Sequence, residues 1–179
     1  MITIRHETSF DNAWREALLD GAFGDGRFSK TAERLREHRL PEDGLSFVAC
    51  AGRRVIGTVR LWNITAGPRR PALLLGPLAV APDFRERGVG GDLIRRALEQ
   101  AQRRGHQAVL LVGDAPYYGR FGFTAEKTGA LRLPGPYARD RLLARELVPG
   151  ALGGARGLVS ATGRGEPRFD SEERTAHAA

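Results

Sequence analysis

The sequence predicts a mixed α/β domain built around one sheet, and three observations carry that expectation. Short β-patterned runs alternate with helical periodicity along the chain. An apolar run at 73–80 leads through a loop into an amphipathic helix, and a second apolar run follows at 107–112. Two strands joined by a helix lie parallel. Finally, 179 residues with 41% hydrophobic content suffice for one full core.

Residues 1–5 (MITIR) alternate in the manner of a strand. Ser9 or Asp11 can cap a helix whose apolar face carries Trp14, Ala17, Leu18 and Phe23, ended by the glycines of 21–26 (GAFGDG). Ser29 opens a second helix, with Ala32, Leu35 and Leu40 inward and Pro41 as its stop. Residues 46–51 (SFVACA) form a strand, Gly52, Arg53 and Arg54 turn the chain, and 55–64 (VIGTVRLWNI) return as its partner. After a loop at 65–71, the central strand holds Leu73, Leu74, Leu75, Leu78 and Val80, interrupted by Gly76 and Pro77. Proline has no N–H to give a ladder, so this pair marks a bulge or the end of pairing.

From Val89 the apolar residues recur at Leu93, Ile94, Ala97, Leu98 and Ala101, one helical stripe with Arg95, Arg96, Glu99, Arg103 and Arg104 off it. Residues 107–112 (QAVLLV) are a buried strand, and 114–121 (DAPYYGRF) a short helix with Pro116 in its first turn. Strands follow at 130–133 and 141–148. The domain is expected to span 1–150, with 151–179 a polar, loosely packed extension. Beyond Ser160, Phe169 is its one large apolar residue.

Composition narrows the function. The net charge is +7, but the basic residues run from Arg5 to Arg174 among acidic neighbours, the pattern of a solvated surface rather than a nucleic-acid face. No apolar run approaches the roughly 20 residues of a membrane span. The first residues lack the basic and apolar regions of a secretory signal, so the cytoplasm is the expected location. A single cysteine, Cys50, excludes an internal disulfide and sits in a strand as a small buried apolar group. His6, His38, His106 and His177 show no paired spacing, and no metal is expected.

The chemistry concentrates between the central strand and the helix after it, in Arg85-Glu86-Arg87-Gly88-Val89-Gly90-Gly91. Unpaired N–H groups at a helix start, made approachable by glycines and flanked by arginines, form a polyphosphate site. A P-loop would require a lysine followed by Ser or Thr after the second glycine, and none follows Gly90 or Gly91. A dinucleotide fingerprint would require a tighter turn and a third glycine, where this chain has Leu93. The remaining device is Arg/Gln-x-x-Gly-x-Gly/Ala, matched by residues 85–90.

In its context that motif resembles the coenzyme A site of the GNAT superfamily of N-acetyltransferases. The strand Leu78-Ala79-Val80 precedes it, and a second signature follows, a tyrosine three residues before Gly-Phe, in Tyr117-Tyr118-Gly119-Arg120-Phe121-Gly122-Phe123. The string from Gly113 to Phe123 is similar to a bacterial subgroup of N-acetyltransferases with a GDxxYYxRFGF-type motif. The resemblance covers roughly residues 1–150. It implies an acyl-CoA N-acyltransferase fold with a splayed central strand pair. It also implies transfer of an acetyl or short acyl group from acetyl-CoA to a primary amine, of a small molecule or of a peptide or protein, by a monomer or homodimer.

The same resemblance assigns roles. The backbone of Leu78, Ala79 and Val80 would bind the pantetheine arm much as an added strand would. Arg85, Arg87, Gly88, Val89, Gly90 and Gly91 would hold the pyrophosphate. Tyr118 would contact the cofactor and protonate the departing thiolate. A phenol with a pKa near 10 is protonated at neutral pH, and a thiol near 8.5 leaves as the thiolate. A backbone N–H near Val80 would polarise the carbonyl during direct attack in a ternary complex. Some family members carry a glutamate on the splayed strand; residues 73–80 hold no carboxylate. Asp114, otherwise a cap for the short helix, and Glu126 are the nearby acids in sequence, with water or a neutral amine as alternatives. The rival reading is a non-catalytic acyl-CoA sensing domain that keeps the arginine-glycine loop but lacks an acceptor site; Tyr118 counts against it.

Overall fold

The computed structural model describes residues 1–167. Eight strands form the sheet: β1 (Ile2–His6), β2 (Ser46–Ala51), β3 (Arg54–Ala66), β4 (Pro71–Val80), β5 (Ala108–Val112), β6 (Leu131–Arg132), β7 (Leu142–Glu146) and β8 (Gly157–Ala161). Their main order is β1-β2-β3-β4-β5-β7. Neighbours along that path are antiparallel except β4 and β5, which the intervening helix makes parallel as expected. The helices are α1 (Asn12–Phe23), α2 (Val89–Arg103) and α3 (Ala115–Gly119). No helix among the described residues is long and apolar enough to cross a membrane.

The two faces of the sheet are covered differently. Helix α2 buries Val89, Leu93, Ile94, Ala97, Leu98 and Ala101, the stripe its periodicity predicts, against Phe47, Val59, Leu61, Leu73, Leu75 and Val109. It can lie this close because β3 carries Gly57 beneath it: a Cβ there would stand 2.9 Å from Leu93 Cδ1 and 3.2 Å from Val89 Cγ1. The opposite face carries Trp62, Ile64, Leu74 and Leu110, packed with Leu35 and Leu133. On that side Leu18 of α1 packs against Val48, Cys50 and Val55. Cys50 is buried, as expected of a small apolar strand residue.

Helix α1 is rotated from the face its apolar residues suggest. Trp14 and Ala17 are exposed, Leu18 and Phe23 half-buried, and the buried positions are Arg15 and Leu19. Electrostatics explains the rotation. Arg15 pairs with Glu7, which also accepts from Arg60 Nε at 2.9 Å, so an ion-pair cluster occupies part of the inward face. Nor does Ser9 cap α1. Asp11 precedes the helix, but its carboxylate accepts from Arg5 at 2.7 and 2.8 Å and from Thr8 N and Oγ1 at 2.8 and 2.9 Å.

Where the sequence predicts a second helix from Ser29, the chain makes only a 3-10 turn at Thr31–Leu35, set off by extended Lys30 from another 3-10 turn, Asp25–Ser29, before it. Long-range bonds outcompete helix propensity here: Thr31 Oγ1 donates to Pro136 O, and Arg34 Nη1 donates to Pro134 O at 2.5 Å. The expectation of a loose extension from residue 151 also fails over its described part. Leu152, Ala155 and Val159 are buried, and β8 pairs with β3 through Ile64, Thr65 and Ala66 and with β6. An unpaired length of β3 beyond the end of β2 supplies the ladder that captures it. Residues 168–179, with Phe169, lie outside the described residues.

Two stability changes follow. Gly57→Val should lower the unfolding free energy by about 1–3 kcal/mol in urea titration, because the branched side chain must displace Leu93 and Val89. Arg5 and the Thr8 donors hold the Asp11 carboxyl well below the usual carboxylate range. A group depressed in the folded state stabilises above its unfolded pKa, and that contribution is lost as pH falls through the folded value. Asp11→Asn should therefore cost about 2 kcal/mol at neutral pH, the deficit shrinking in acid once wild-type Asp11 is itself protonated.

Candidate active site

The site begins where β4 parts from both neighbours. Its register against β3 slips between Val59 and Leu61: Val59 faces Leu78, but Leu61 faces Leu75. Gly76 and Pro77 occupy the slip, the bulge their sequence predicts, with Gly76 at φ +133, where a side chain would be strained. One extra residue reverses the alternation of faces. Before it, Leu73 and Leu75 point towards α2; after it, Leu78 and Val80 do.

On its other side β4 pairs with β5 only through Leu73 with Val109 and Leu74 with Leu110. Beyond those residues the two strands diverge. Ala81 N donates to Ile56 O on β3 at 2.8 Å. Peptide groups alternate sides along a strand, so Leu78 and Val80 turn their N–H and C=O away from β3, into the gap that β5 has left. Their side chains pack on the core while their backbones face the opening.

Helix α2 starts beside this gap. Gly88 precedes it at φ +80, and the first helical bond is Asp92 N to Gly88 O at 3.0 Å. The N–H groups of Val89, Gly90 and Gly91 therefore have no intrahelical acceptor. A Cβ on Gly90 would stand 2.9 Å from the Tyr117 hydroxyl and 3.6 Å from Val80 Cγ2, so the end of β4, the start of α2 and the aromatic segment of α3 converge on this glycine. Arg85 and Arg87 lie exposed on the preceding loop, Arg87 with its guanidinium 5.1 Å from the Phe84 ring centre.

Tyr118 stands on the other lip. Its ring lies over Gly113, just past the end of β5, where a Cβ would be 2.2 Å from Tyr118 Cε2. Phe123 and Tyr117 hold it edge-on, with centroids 6.1 and 4.9 Å away. Burial raises its phenol to about 12, with the Tyr117 phenol adding to the rise, so it keeps its proton throughout the neutral range.

The structure thus brings Leu78, Val80, Val89, Gly90, Gly91 and Tyr118 to one opening, leaving Arg85 and Arg87 on its rim. Ala79 is buried and turned towards β3. Asp114 stands at the N-terminus of α3 but makes no side-chain cap; its backbone carbonyl accepts from Tyr118 N at 2.9 Å. Glu126 lies exposed in a turn. Sequence reasoning missed Gly113, whose role depends on an aromatic residue packed over it. Arg120 lies 4.5 Å from the Tyr117 ring centre and Arg95 5.7 Å from that of Phe121, contacts the sequence does not signal.

The sequence profile of the acetyltransferase (GNAT) family matches residues 11–123. The chain is 31% identical over 157 residues to the uncharacterised N-acetyltransferase YhbS of Escherichia coli K12, covering 87% of this chain and 93% of YhbS. It is 34% identical over 119 residues to YjhQ of the same strain, an uncharacterised N-acetyltransferase, covering 65% of each. The crystal structure of E. coli YhbS in complex with CoA superposes with a TM-score of 0.76 at 30% identity, over 90% of this chain and 89% of that one. A Brucella melitensis GNAT acetyltransferase in complex with acetyl-CoA shares the fold at a TM-score of 0.63 and 24% identity, over 96% and 97% of the two chains. Motif order, the parted strands and these likenesses agree: the chain belongs to the GNAT family of acetyltransferases.

Proposed function

We propose that the protein transfers an acetyl or short acyl group from acetyl-CoA to a primary amine. The observation that carries this reading is the opening between β4 and β5, which has free backbone groups on one lip, a half-buried phenol on the other and orphan helix N–H groups at its end. The pantetheine arm lies along Leu78, Ala79 and Val80 as a missing strand would. Its pyrophosphate rests on the N–H groups of Val89, Gly90 and Gly91, a helix start worth up to about 2 kcal/mol to an anion in a sheltered place. Arg85 and Arg87 add charge from the rim. The CoA bound in the YhbS crystal structure supports CoA or its acyl thioester as the cosubstrate.

The amine attacks the thioester carbonyl carbon while the Val80 N–H stabilises the developing oxyanion. The new C–N bond forms, the C–S bond breaks and the thiolate takes the Tyr118 proton. The amine's proton leaves through water, which restores the Tyr118 phenol, since residues 73–80 offer no carboxylate and Asp114 and Glu126 are exposed.

Thiol release from acetyl-CoA, assayed with a panel of amines and peptides, tests the reading; CoA binding without turnover on any of them would favour the sensing domain instead. Gly90→Glu should abolish CoA binding in calorimetry while melting normally, because its side chain fills the cradle beside Tyr117 and Val80. Tyr118→Phe should slow turnover by about 100-fold or more. The variant should lower the whole pH–rate profile without moving any limb below pH 10, since the wild-type phenol stays protonated there; a rate within a few fold of wild type would remove Tyr118 from the mechanism.

A further inference from the structure

We propose that Arg36 is the anchor for a carboxylate on the acceptor, so that the amine this enzyme acylates is itself an acid. The inference rests on the acyltransferase reading above and names the substrate class of the same opening.

The bulge has two sides. Leu78 and Val80 face α2, where the cofactor belongs, whereas Leu74 and Trp62 lie on the opposite face. Gly76 is tied to that opposite face by Trp62 Nε1, which donates to Gly76 O at 2.5 Å. The space a side chain at 76 would fill is taken by Arg36, whose Nη1 lies 3.2 Å from the Cβ position. A guanidinium therefore sits at the throat of the parted strands, on the side the cofactor leaves open.

Arg36 is only 9% exposed. Its Nε and Nη2 both donate to Glu33 Oε2, at 3.1 and 2.8 Å. Among the described residues Nη1 makes no hydrogen bond, so a buried cation with five donors has one carboxylate oxygen as its acceptor. Buried charge is costly unless it is paired and hydrogen-bonded. Arg27 adds positive charge nearby: burial lowers the basicity of Arg36, and repulsion from Arg27 acts in the same direction. The unused edge of the guanidinium fits a second planar carboxylate, the ligand for which this group makes its strongest bonds.

The test compares amines as free acids and as their amides: alanine, β-alanine and γ-aminobutyrate against alaninamide, β-alaninamide and γ-aminobutyramide, with phosphoethanolamine as the phosphate arm. Wild type should favour at least one acid over its amide by about tenfold or more in kcat/KM. Arg36→Met should erase that preference with CoA affinity unchanged in calorimetry, and Arg36→Lys should keep part of it. Equal use of acid and amide by wild type, an acid preference that survives Arg36→Met, or a preference for phosphoethanolamine over every carboxylate would each overturn the assignment. If other amines or peptides are acylated but none of these acids is, only the role of Arg36 falls; if no amine or peptide of any kind is acylated, the acyltransferase reading falls and this one with it. If both are acylated alike, only the role of Arg36 falls. The wild-type ratio decides the matter even should Arg36→Met fold poorly.

Discussion

Two residues of parallel pairing hold β4 to β5, and the rest of the molecule depends on the pairing ending there. A bulge on the β3 side and divergence on the β5 side leave the end of β4 bonded along one edge only. Backbone groups in a sheet are normally satisfied by a neighbouring strand; here they are left for something else to satisfy. The same extra residue reverses the faces of the strand, so Leu78 and Val80 can fill the core beneath α2 while their peptide groups line the gap. Core packing and the open hydrogen-bonding edge thus fall to different atoms of the same residues.

The lips of this gap are set by residues that lack side chains. Gly57 lets α2 settle onto β3, and Gly113 lets Tyr118 pack against the end of β5. A methyl group at either place would move one lip relative to the other. Glycine is therefore a positional constraint at these two points, acting through close approach rather than through backbone freedom.

What could be read in the sequence divides along the range of the interactions involved. Helix α2, the hairpin of β2 and β3, the bulge and the glycine-arginine loop were all legible, because each is decided by neighbours a few residues apart. The rotation of α1 was not: Arg15 turns inward to meet Glu7, an acid whose position only the assembled sheet determines. The region after Ser29 looked helical because its apolar spacing is helical, but Thr31 and Arg34 bond to the 134–136 loop a hundred residues away. Arg36 carried no local signal of any kind. A buried arginine looks the same in sequence as the many exposed ones, and the glycine that makes room for it lies forty residues away on β4.

The pairing of β8 with β3 has a consequence during synthesis. The edge of β3 past β2 is a row of open hydrogen-bonding positions, and the chain that covers it, Gly157–Ala161, is among the last of the described residues to leave the ribosome. Until then the nascent domain carries an uncapped edge over Ile64, Thr65 and Ala66, the kind of surface that recruits strands from other chains. Truncation or stalling before residue 157 would leave that edge open on a domain whose cofactor motifs are already complete. Such a fragment would hold the elements of the site and yet be prone to aggregate.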